Sequence, residues 1–446
     1  MEKENTLLTT RGENIAYGLG DLGSNFVWTF CSSWLTLYYT DSVLISAGVV
    51  GSIMLILRLF DGFSDILFGL LIEKTKTRFG KARPWFGASI IPLVVLQILV
   101  YNVPSSMTNA TKTIYIVITY FLLTVVAYTI NNLSYHSMLS RFALDEKDRV
   151  KVSSVRGVFA FLAGLLLAIL TPAILNGNGG AKLQSAWTKT SLIFSVICLI
   201  LQSITFGVVK EKISCEKKDD EPCKKVDLLM GCRELLRIKY FYISIIVFVC
   251  TYVLNGLVLA AHVYFTRDVL HNSNLYSLIA IVSVLATVVG IILAPKLFAN
   301  YGKRKTLICG SLVYIGGCVV GLIFATNILL VIIATVITGI GLGPYVSGIF
   351  TFAPDIIELL EVKTGERFEG LVTSVNSVGI KIGTGLASAA LGWGLFIGGY
   401  DGSEMVQQAS VLRVETILVY GVPMVMCFIC IIAMKFWDLD ERISRN

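Results

Sequence analysis

The sequence predicts an all-α membrane protein of twelve transmembrane helices arranged as two six-helix halves, and three observations carry that prediction. Of its 446 residues, 55% are hydrophobic and only 15% charged, whereas a soluble domain carries about 25% charged residues. Apolar stretches of twenty or more residues, roughly the length that crosses a bilayer, recur from end to end. One long polar stretch, residues 210–239, falls at the midpoint with nine basic and seven acidic side chains.

The apolar stretches lie at about 14–40, 44–72, 84–103, 113–139, 152–175, 187–209, 240–265, 274–299, 305–325, 327–358, 368–399 and 413–437. Six precede the polar stretch and six follow it. The domain reading is therefore an N-terminal half (1–209), a cytoplasmic middle loop (210–239) and a C-terminal half (240–446). A short internal repeat agrees with this: "RFGKAR" (78–83) follows the second span and "NYGKRK" (300–305) the eighth, half a chain apart. Each reads as a tight turn at a Gly between paired helices. Two six-helix halves related as parallel repeats describe the major facilitator architecture.

Charge in the short loops sets the orientation. Fifteen Lys and Arg residues fall on one side, from Lys74 to Arg83, Arg141 to Lys151, Lys296 to Lys305, and at Lys363 and Arg367; the other side holds five, Lys112, Lys182, Lys189, Arg267 and Arg413. By the positive-inside rule, both termini and the middle loop are expected in the cytoplasm, and the protein in the cell inner (plasma) membrane. The polar start "MEKENTLLTTRGEN" carries no cleavable signal pattern. The net charge of +7 follows from the loop asymmetry, so nucleic acid is not an expected partner. Ten cysteines lack paired or zinc-type spacing and read as reduced and structurally passive.

The chemistry is in the charges buried inside spans. "RLFDGFSDILFG" (58–69) places Arg58, Asp61 and Asp65 in the second span, where each charge costs about 2.5–3.5 kcal/mol. Spacings of three and four residues put the triad on one helix face. Its formal charge is −1, a deficit that a cation can fill or a proton can neutralise, and Ser64 offers a further hard oxygen. The competing readings are an ion-pair network that only fastens helices and a divalent-metal diphosphate site of a membrane prenyltransferase; the latter needs a matching acidic motif, which "DIIELLE" (355–361) does not supply. Further polar insertions follow in Asp21 and Asn25 of the first span, Thr129, Asn132 and His136 of the fourth, Arg156 of the fifth, and Asn376 and Lys381 of the eleventh. Amides, hydroxyls, a His and separated cations suit a hydroxyl-rich solute. Asn131, Ser134 and Ser377 can equally be interhelical fasteners.

These segments together resemble the glycoside-pentoside-hexuronide:cation symporter family: "GLGDLGSNF" (18–26), "YYTD" (38–41), "RLFDGFSDILFG", "TRFGKARPW" (77–85), "AYTINNLSYHSML" (127–139), "PDIIELLEVKTGERFEG" (354–370) and "SVGIKIG" (377–383). The resemblance implies a major facilitator fold, no enzymatic activity, and symport of a sugar, glycoside or hexuronide with a coupling cation, Na⁺ or H⁺, without an organic cofactor. It implies cation-binding roles for Asp61, Asp65 and Thr129, with Ser64 standing where melibiose-type members carry an Asn. Tyr128 and Arg156 fall on sugar-side positions, and Lys381 on the Lys that links cation and sugar sites. Asn25 and Asn132 replace two sugar-binding carboxylates, and His136 replaces a stacking Trp; retaining Arg156 and Lys381 leaves the cavity more positive, which suits an anionic sugar. Arg58 completes the charge network, and the expected unit is a monomer in the lipid bilayer. The alternatives are a lysolipid-type or other organic-solute symporter on the same fold, and a sugar sensor that does not transport.

Overall fold

The computed structural model describes residues 9–75, 77–212, 228–365 and 369–439, and no strand occurs among them. The chain separates into two compact units, Met1–Glu221 and Pro222–Asn446.

In the first unit, α1 (Arg11–Leu37), α2 (Ala47–Lys74), α3 (Arg83–Val100), α4 (Asn109–Phe142), α5 (Glu146–Gly177) and α6 (Gln184–Val208) are each long enough to span a bilayer. A capping box starts α1: Glu13 N–H donates to Thr10 Oγ1 at 3.2 Å, and Glu13 Oε2 accepts from Thr10 N–H at 2.8 Å. Inside α4 the backbone loosens to π-helix over Leu122–Tyr128 before returning to α at Thr129. The α1 helix packs on α5 and α6, and α3 packs on α4 and α6. Tyr17 and Tyr135 stack at 4.3 Å, and each hydroxyl donates to the other residue's carbonyl, at 3.1 and 2.6 Å.

A polar clamp lies at the centre of this unit. Asn131 Nδ2 donates to Ser89 Oγ at 3.0 Å and to Gln202 Oε1 at 2.8 Å, while Gln202 Nε2 donates to Ser24 Oγ at 2.9 Å and Asn131 Oδ1 at 3.1 Å. One side chain from each of α1, α3, α4 and α6 is thereby joined, with both amides wholly buried. In an apolar surround these amides need one another, so the clamp fixes the register of four helices.

The second unit holds α7 (Leu228–Arg237), α8 (Lys239–Asp268), α9 (Leu275–Ile323), α10 (Ile328–Thr364), α11 (Glu369–Gly398) and α12 (Ala409–Lys435). The α9 helix is interrupted at Gly302, whose φ of 75° and ψ of 170° are non-helical, so it supplies two of the twelve spans. Its two arms meet α10 closely at glycines. A Cβ on Gly290 would lie 2.5 Å from Ile340 O, one on Gly341 2.7 Å from Tyr314 N, and one on Gly317 2.9 Å from Ala334 O. The segment "GIGLGP" (339–344) is thus a backbone-to-backbone seam.

The two Gly turns of the repeat both take positive φ, 110° at Gly80 and 75° at Gly302. They are held differently. The Glu211 carboxylate accepts from the N–H groups of Lys81, Ala82 and Arg83 at 3.0, 2.8 and 2.7 Å, filling the donor-rich start of α3. At the second turn, Lys303 Nζ donates to Thr351 O at 3.1 Å and pairs with Asp355. The polar stretch 210–239 is therefore attached at both ends: Glu211 to the first unit, and Leu235 and Ile238 to the apolar core of the second.

Among the described residues, nine helices are long and apolar enough to cross a membrane. The first helix is diluted by Asp21, Ser24 and Asn25, and the second carries Arg58, Asp61 and Asp65 behind an exposed outer face of Ile56, Leu59, Phe60, Leu67 and Leu70. Apolar outside and charged inside is the arrangement that lets ionisable groups survive at membrane depth.

Candidate functional site

The second span buries its charges against α1 and α4. Asp61 is 3% exposed, and its Oδ1 accepts from Thr129 Oγ1 at 2.7 Å. Ser64, one helical turn on, donates to Asp61 O at 2.9 Å and lies 3.4 Å from Thr129 Oγ1. Carboxylate and hydroxyl oxygens therefore cluster between α2 and α4, while Asp65 stands half-buried one turn below Asp61. The π segment contributes directly: Thr129 Oγ1 also lies 3.0 Å from Thr124 O, five residues back. Such bulges recur where a helix must aim a functional side chain.

Arg58 is held from α1. Its guanidinium lies over the Trp28 ring at 3.7 Å, and Nη2 donates to Ser32 Oγ at 3.2 Å. Its Nε and Nη1 are buried with no hydrogen-bond partner among the described residues. Trp28 also stacks on Tyr128, with ring centroids 4.6 Å apart and planes at 18°. Trp28 and Ser32 escape a reading based on charge alone. The signal was periodic: Asp21, Asn25, Trp28 and Ser32 follow steps of four, three and four residues, which is one face of a helix.

The remaining polar positions fall into short chains of contact. Asn25 Nδ2 donates to Asp21 O at 2.8 Å and Asp21 Oδ2 at 3.2 Å, and its Oδ1 accepts from Thr29 at 3.0 Å. Asn132 Nδ2 reaches Tyr128 Oη at 3.4 Å, and Arg156 Nη1 donates to His136 Nδ1 at 2.9 Å. In that bond His136 Nδ1 is the acceptor, so the ring is neutral with its hydrogen on Nε2. Lys381 belongs to α11 in the second unit and is half-buried; the side chain of Asn376 lies outside the described residues. Among the described residues, no three His, Cys, Asp or Glu side chains gather as a metal-holding group. Asp61, Ser64 and Thr129 present hard oxygens, the donor type that hard cations take.

The family model described as MFS/sugar transport protein matches residues 16–441. Among curated relatives, an isoprimeverose transporter of Lactiplantibacillus pentosus is 28% identical over 434 residues, covering 96% of this chain and 89% of that protein. A putative glycoside/cation symporter, YagG, of Escherichia coli strain K12 is 28% identical over 451 residues, covering 98% and 95%. Among solved structures, the crystal structure of a D-xylose-proton symporter superposes with a TM-score of 0.67 at 12% identity, covering 96% of this chain and 97% of that one. At that identity the likeness concerns the fold.

Proposed function

We propose, since the chain belongs to the MFS/sugar transport protein family, that it is a secondary active symporter carrying a sugar, glycoside or hexuronide by alternating access with a coupling cation, Na⁺ or H⁺. The observation that carries this reading is the buried Asp61 carboxylate bonded to Thr129 at 2.7 Å, with Ser64 beside it, in the middle of two spans. A carboxylate in that position exchanges its hydroxyl donor for a proton or a metal ion and so changes the contact between α2 and α4. Asp65 supplies the second carboxylate, and Arg58 offsets one of the two negative charges.

The solute side consists of Asp21, Asn25, Tyr128, Asn132, His136 and Arg156 in the first half, and Asn376 and Lys381 in the second. Amide, hydroxyl and imidazole groups both donate to and accept from sugar hydroxyls, and Arg156 with Lys381 favours a carboxylated sugar. The names of the relatives support a saccharide or glycoside and a cation partner. The halves are 1–209 and 240–446, joined by 210–239. The protein works as a monomer in the cell inner membrane, with both termini cytoplasmic. Solute and cation must tighten one another by the same factor.

The test is counterflow in proteoliposomes with a panel of neutral glycosides and uronides, run with and without Na⁺ at two pH values. Cation-stimulated exchange of one solute class is expected. The reading is sunk if an Asp61→Asn, Asp65→Asn double variant transports undiminished with unchanged cation dependence.

A further inference from the structure

The symport reading leaves Trp28 without a role, yet its indole touches both sides of the site. Arg58 lies over the ring at 3.7 Å and Tyr128 stacks on it at 4.6 Å. Tyr128 accepts from Asn132 at 3.4 Å, and its neighbour Thr129 donates to Asp61 at 2.7 Å. Arg58 is 2% exposed and donates through Nη2 to Ser32, while Nε and Nη1 are buried without a directed hydrogen bond among the described residues. For a desolvated cation the face of an indole is an attractive surface.

Arg58 sits three residues before Asp61 on one helix, within reach of the carboxylate. A guanidinium released from α1 would gain charge-assisted bonds by turning towards Asp61 and Asp65, and would then occupy the oxygens a coupling cation needs. We propose that Trp28 is a positioning residue for coupling: it holds the Arg58 charge against α1 and so keeps this guanidinium from competing with the ion, and its stack on Tyr128 lets the solute-side wall report on that hold. This rests on the symport reading for Asp61 and Asp65. It assigns a role to a residue that supplies no oxygen to the ion.

The full-length protein in proteoliposomes carries the test. Trp28→Leu is expected to raise the half-saturating concentration of the driving cation about tenfold. Half-saturation by solute, at saturating cation, should move less than threefold, and Trp28→Phe should stay within about threefold of wild type on both measures. Because Trp28→Leu removes packing volume, a second series keeps the shape: tryptophan fluorinated one to four times and placed at position 28 by nonsense suppression. Half-saturating cation should climb with each fluorine as the ring face loses its negative potential. A flat series, or a Trp28→Leu effect confined to solute half-saturation, overturns the proposal. If the Asp61→Asn, Asp65→Asn variant keeps its cation dependence, the symport reading fails first, whatever Trp28 does.

Discussion

The two halves descend into the membrane with the same helix count and differ in what stands out among their fastenings. The first is joined by side chains that seek one another: Gln202, Asn131, Ser24 and Ser89 bridge four helices, and Tyr17 and Tyr135 exchange hydroxyls. In the second, Gly290, Gly341 and Gly317 bring backbones together across α9 and α10, beside the Lys303–Asp355 pair and the Ser311–Tyr345 hydrogen bond. Polar fastening keeps a half rich in directed donors and acceptors, which is where the oxygen cluster of Asp61 and Thr129 is found. Glycine fastening gives close-packed walls with little chemistry in them.

The sharpest way to break this comparison is to crowd the glycine seam. Gly343→Leu drives a side chain into the backbone of Gly290 and Ile291; a loss of more than about 4 kcal/mol is expected, seen as no monodisperse folded species by size-exclusion chromatography. Gly157→Leu in the first half, where a Cβ meets nothing within 4 Å, should remain folded. If both tolerate the change, the seam does not hold the second half together.

Next in size is the clamp. Gln202→Leu takes one partner each from Asn131 and Ser24, which keep Ser89 and Gly20 O, a loss of about 1–3 kcal/mol, read as a lower thermal midpoint in detergent with an unchanged order of preference among solutes. An altered solute order would mean the clamp belongs to the transport site. A smaller effect separates fastening from function: Thr129→Val removes the donor to Asp61 and should weaken cation dependence about tenfold with little change in thermal midpoint, while Thr129→Ser retains wild-type behaviour. The least is expected at the turns. Glu211→Gln keeps the size of the side chain but loses the charge and one of the two acceptor oxygens facing the α3 N-terminus, about 1 kcal/mol; Lys303→Met should cost a comparable amount, both measured as shifts in midpoint.

Much of the fold was legible because membrane depth leaves few options: long apolar runs can only be helices, and the Gly80 and Gly302 repeat marked the turns where backbones take positive φ. The carboxylates of α2 were legible because charge inside a span is costly and spacing of four residues fixes a shared face. Trp28 was not, since an aromatic in an apolar span has no cost to draw the eye and its value depends on Arg58, thirty residues away. Gln202 was hidden for a related reason, as one amide in α6 says nothing about Asn131 until the helices are placed side by side. The π segment of α4 has no sequence signature at all.

That segment has a consequence for how the protein can change. A π turn holds one residue more than the α-helix would use, so it is an insertion carried without shifting the rest of the helix. Removing a single residue between Leu122 and Val126 would restore regular α geometry there and leave the helix beyond it in its present orientation. Tyr128, Thr129, Asn132 and His136 would keep facing the elements they face now. A one-residue deletion there is therefore expected to spare the polar face of α4, whereas the same deletion in a regular stretch of the helix before it would turn that face by about 100°.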